Sequence, residues 1–115
     1  MNSIILITLA FLPFATFAQS QSQRIESARF EVTVNNASAF STNVNSQSET
    51  FGMKEFLQLE KALLEKEGIF DVELLNDRKT IRVDHLSYIE VETIKAFILP
   101  YRAEIEIEEK VPYLF

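Results

Sequence analysis

The stretch MKEFLQLEKALLEKEGIFDVELLNDRKTIRVDHLSYIEVETIKAFILPYRAEIEIE, residues 53–108, decides the fold. Phe56, Leu59, Ala62 and Leu63 recur at helical spacing, with Glu55, Glu60, Lys61, Glu65 and Lys66 around them. That periodicity predicts an amphipathic helix from about Met53 to Lys66, capped by Thr50. Gly68 follows, where a left-handed residue suits a helix end. Val72 and Leu74 then alternate with Asp71 and Glu73, and Ile81 and Val83 with Arg82 and Asp84. Two strands joined by the polar turn 76–79 form a hairpin. Ser87 with Glu90 three residues on is a capping-box signature, and Val91, Ile94 and Ile98 give a second helix over about 88–99. Pro100 stops it. Ala103, Ile105 and Ile107 alternate with Glu104, Glu106 and Glu108 in a last strand.

Upstream, Phe30, Val32 and Val34 alternate with Arg29, Glu31 and Thr33, which predicts a half-buried strand. Asn35-Asn36 is a turn pair, because Asn tolerates left-handed backbone angles. Residues 35–50 read either as a weak strand through Phe40, Thr42 and Val44, forming a hairpin with Arg29–Val34, or as a long loop. A strand, a helix, a hairpin, a helix and a strand make an α+β domain: a ferredoxin-like βαββαβ two-layer sandwich with an antiparallel sheet and an optional extra N-terminal hairpin. The domain spans 28–110, after a flexible leader at 19–27 and before a C-terminal tail at 111–115.

The extreme N-terminus reads differently. Ile4–Phe17 is an apolar run broken by Thr8, Pro13 and Thr16, and Thr16 and Ala18 place small residues before Gln19. Residues 1–18 are read as a secretory signal peptide, which implies an exported chain, periplasmic or secreted. The run is too short to span a bilayer, so no membrane attachment is expected once it is cleaved. About 100 residues remain, enough for one core. The chain has no cysteine, so packing alone must hold it, without disulfides.

A net charge of −6 argues against nucleic acid, whose phosphates call for clustered Lys and Arg. Catalysis has little to build on. His85 is the single histidine, and two glycines leave no phosphate-cradling loop. No enzyme activity and no cofactor are expected.

Leu59-Glu60-Lys61-Ala62-Leu63 leading to Glu67-Gly68-Ile69, with the hairpin Asp71–Leu74 and Thr80–Val83 and the run Ser87-Tyr88-Ile89-Glu90, resembles the heavy-metal-associated domain family over about 51–108. The resemblance implies a soft-metal carrier scaffold. The family's Cys-x-x-Cys pair aligns with Gly52-Met53-Lys54-Glu55, however, so the thiols are missing. Glycine has no ligand, and a carboxylate is a poor match for Cu(I). A metal site would have to draw on Met53, Glu55 and His85.

Two surfaces are candidates for a protein partner. The outward positions of the expected sheet are Glu31, Thr33, Asp71, Glu73, Arg82, Asp84, Glu104, Glu106 and Glu108, a stripe suited to a basic partner or weakly to a hard cation such as Ca²⁺. Glu104, Glu106 and Glu108 are its densest part. The second candidate is the apolar tail, with Tyr113 and Phe115 as anchors. The expected function is therefore a non-catalytic exported binding module for a protein partner. The alternative is a metal-binding or transport domain with non-thiol ligands.

Overall fold

The computed structural model describes residues 21–115. The apolar run assigned to a signal peptide lies outside them. Among the described residues, three helices and four strands follow in the order α1 (Gln21–Val34), β1 (Ala39–Ser46), α2 (Met53–Leu64), β2 (Ile69–Leu74), β3 (Thr80–Leu86), α3 (Val91–Ile98) and β4 (Ile105–Pro112). The strands form one sheet in the order β2-β3-β1-β4. Every neighbouring pair is antiparallel. The architecture is α+β and compatible with a ferredoxin-like sandwich.

The main core lies between one sheet face and the helices α2 and α3. Phe56, Leu59 and Leu63 of α2 and Ile94 and Ile98 of α3 meet Val44, Val72, Ile81, Val83 and Ile105 of the strands. Most of the predicted apolar positions fall on the core, although Ala62, Leu74, Val91 and Ile107 are only half-buried and Ala103 is exposed ahead of the last strand, which begins at Ile105. Burying a large aliphatic side chain contributes about 1.5–3 kcal/mol, so this face supplies most of the stability.

Arg29–Val34 is not a strand. It forms the end of α1, and residues 21–27, expected to be a flexible leader, form its beginning. The hairpin expected between Arg29–Val34 and the strand after it does not form. The physical reason is the second sheet face. At one end it carries an apolar patch made by Ala39, Phe70 and Leu86, which only a helical spacing of Ile25, Ala28 and Val32 can cover together. Burial against that patch outweighs the strand preference of the β-branched residues. Phe30 and Val34, inward in the strand pattern, are exposed instead. The first strand is Ala39–Ser46, inside the segment that read as strand or loop. Asn36 takes φ 56, as the Asn pair predicts.

Two helix starts differ from expectation. The cap of α2 is Gly52 rather than Thr50, with the Glu55 carboxylate accepting from the Gly52 N–H at 3.2 Å. The second predicted helix begins at Val91 after Glu90, not at Tyr88. Tyr88 and Ile89 turn back instead and pack on Gly68, which has φ 101. The β2–β3 turn is tied by Asp77, whose carboxylate accepts from the Lys79 N–H, the Thr80 N–H and the Thr80 hydroxyl. These bonds hold its pKa low.

Candidate functional site

The three residues proposed for a metal do not converge. Phe51 donates its N–H to the Arg78 carbonyl at 2.7 Å, so Met53 and Glu55 lie at the end of the sheet where β3 begins. His85 lies five residues further along β3 than Thr80, and at ~3.4 Å per residue the two ends are roughly 17 Å apart. Met53 is 52% exposed. Glu55 caps α2 and pairs with Arg102 at 2.7 Å, while Arg102 also donates to the Thr50 carbonyl at 3.2 Å and stacks over Phe51 at 5.3 Å. The start of α2 at 51–55 is thus fastened by a carboxylate, a guanidinium and an aromatic ring.

His85 is fully buried. Its Nδ1 lies 3.0 Å from the Leu86 carbonyl, which only accepts, so Nδ1 carries the proton. Nε2 then accepts the Thr42 hydroxyl at 2.7 Å. Both ring nitrogens are bonded in the neutral form. Burial pushes the imidazole pKa down, against a smaller upward pull from the bond to Leu86, and Lys110 adds to the lowering. Phe40 lies 6.3 Å away, with the Lys110 ammonium 4.6 Å from its ring centre. Among the described residues, no group of three or more His, Cys, Asp or Glu side chains is placed to hold a metal ion.

The acidic stripe divides. Glu31 and Thr33 leave it altogether, since they belong to α1. Asp71, Glu73 and Asp84 converge on Arg82, at 3.6, 2.6 and 3.3 Å. Asp84 is buried, accepts the Ser41 hydroxyl, and has its pKa raised by burial despite Ser41 and Arg82. That half of the face is a network closed on itself. On β4, Glu106 pairs with Asn45, but the register shifts between Asn43 and Val44, and Glu109 rather than Glu108 lies opposite Asn43. The bulge breaks the predicted Glu104–Glu106–Glu108 alternation. All three are exposed on or next to an edge strand, where charges discourage pairing with another chain.

The tail folds back on the molecule. Tyr113 meets Phe70 edge-on at 5.1 Å, Phe115 stacks on Phe70 at 5.6 Å, and Tyr113 and Phe115 touch at 4.8 Å. Arg29 of α1 lies 5.9 Å over Phe115. These rings close the small second core beside α1, so Tyr113 and Phe115 serve packing first.

A feature not foreseen is a cleft of about 1110 Å³ between α1, the end of α2 and the segment around Tyr88. Ala28, Ile69, Phe70 and Leu86, all buried, lie at its base. Phe30 and Tyr88 stand in its walls, 58% and 57% exposed. The signal was present in Ile25, Ala28 and Val32, whose spacing of three and four residues is that of a helix face. Recognising that helix would have placed Phe30 on its outer side. Among the described residues, no helix is long and apolar enough to cross a membrane.

Compared with known proteins, the chain matches no family model, and no curated protein shows significant similarity to it.

Proposed function

We propose that the chain is an exported, non-catalytic binding module that recognises a protein partner. In this reading its scaffold is the ferredoxin-like βαββαβ sandwich, a degenerate heavy-metal-associated domain with α1 added in front. The strand order and the alternation of helices and strands after α1 support that assignment. The observation that carries the function is the open cleft with Phe30 and Tyr88 exposed in its walls, since exposed aromatic side chains beside a concave surface are a common mark of protein recognition. The bonding of His85 to Thr42 and Leu86 supports a non-catalytic role, because a proton-transfer group must reach its substrate.

Site-specific photo-crosslinking in the exporting cell tests this. A photoreactive residue is placed in turn at Phe30, Tyr88, Glu106 and Leu114, all exposed. A discrete covalent adduct with another polypeptide from at least one position is expected. Folded, exported protein that yields no adduct from any of the four overturns the reading.

A further inference from the structure

We infer that the Tyr88 end of the cleft receives a Lys or Arg side chain of a partner segment, with an adjacent apolar side chain of that segment against Phe30. This deepens the protein-binding reading and rests on it.

The walls come from three separate parts of the chain. α1 supplies Phe30 and Glu31, the end of α2 and its turn supply Leu64 and Glu67, and Tyr88 closes the end. Tyr88 is held by Gly68: a Cβ there would stand 2.8 Å from the ring's Cε1 and 2.9 Å from the Ile89 side chain. The ring is therefore seated against bare backbone while over half its surface stays open. Burial raises the phenol pKa, and the charges of Glu67 and Glu31 raise it further. Glu31 of α1 and Glu67 beyond the end of α2 line the same cleft as that exposed ring. A cation meets both carboxylates there and also the negative face of the aromatic ring.

The cleft as a whole is lined by five carboxylates and three cations, within a chain of net charge −6. Arg24, one of those cations, acts on Glu60 and lowers its pKa against the rise from burial. Charge complementarity points to a basic occupant. The apolar base and Phe30 call for an apolar neighbour beside the cation.

The test is amide NMR of the full chain, in the form the expressing cell produces, titrated with an alternating Arg-Leu hexapeptide and with its Glu-Leu counterpart. Saturable shifts at Phe30, Glu31, Glu67 and Tyr88 are expected with the Arg-Leu peptide alone. Tyr88→Ala, and separately Glu31→Gln with Glu67→Gln, should each weaken binding about tenfold or more, while Leu57→Ala on the exposed side of α2 leaves it unchanged. Shifts confined to the β4 carboxylates, equal binding of both peptides, or no shifts at all overturn the inference. The crosslinking experiment judges the wider reading independently: an adduct from Glu106 without one from Phe30 or Tyr88 keeps a partner and removes it from the cleft.

Discussion

Thr42→Val should destabilise the domain through His85, 43 residues away. Valine keeps the shape of threonine but removes the hydroxyl that donates to the imidazole Nε2 at 2.7 Å. Both residues are fully buried, so the freed nitrogen cannot turn to water without opening the sheet. An unsatisfied buried acceptor costs about 1–3 kcal/mol. For a domain of this size, each kcal/mol corresponds to about 4–8 °C in Tm, so a fall of roughly 5–20 °C is expected. His85→Leu should cost a similar amount, since it strands the Thr42 hydroxyl and removes the bond to the Leu86 carbonyl. The double variant replaces both partners by apolar groups and should lose less than the sum, with a coupling of about 1–2 kcal/mol. Urea unfolding followed by circular dichroism measures all four proteins. Additivity within about 0.3 kcal/mol would refute the paired, buried histidine.

The pH dependence follows from the burial of the same histidine. The folded imidazole pKa lies below its ordinary value of about 6.5, so between the two values the unfolded chain binds the proton and the folded chain does not. Wild-type stability is therefore fully present above about pH 6.5 and falls as the pH drops towards the folded value. His85→Leu should flatten that slope, and a slope unchanged by the substitution would contradict the assignment. Gly68→Ala should cost about 1–3 kcal/mol through its φ of 101 and the contact with Tyr88, seen as an earlier urea midpoint. Arg102→Ala should lower stability by about 1–2 kcal/mol and weaken hydrogen-exchange protection in the first turn of α2, because Glu55 loses its partner there. Truncation after Tyr113 removes the ring stacked on Phe70 and should cost about 0.5–1.5 kcal/mol by calorimetry, with exchange in α1 quickened beside it.

Much of the α2–β2–β3 unit was legible because its pattern is local. Leu59 and Leu63, or Ile81 and Val83, declare a helix or a strand without reference to the rest of the chain, and the structure buries all four. Arg29–Val34 failed because the same residues satisfy two periods. Phe30, Val32 and Val34 alternate, yet Val32 also continues the stripe of Ile25 and Ala28. The choice between them is made by Ala39, Phe70 and Leu86, which come together only once the sheet has formed. The Glu104–Glu106–Glu108 stripe failed at a bulge, which is a property of the pairing with β1 and leaves no mark in β4 itself. His85 looked available because Thr42 lies far away in sequence. The cleft was hidden for the same reason as α1, since one of its walls is that helix.

Glu55 and His85 are held by contacts within the protein, and the proposal of a protein partner in place of a metal rests on those contacts. Amide NMR of the full chain titrated with Cu(I), Zn²⁺ and Ca²⁺ tests it most directly. A well-dispersed spectrum that does not respond at micromolar metal is the predicted result. Saturable shifts centred on Met53, Glu55 and His85 would contradict it, because they would require Glu55 to leave Arg102 and His85 to leave Thr42 in order to bind an ion.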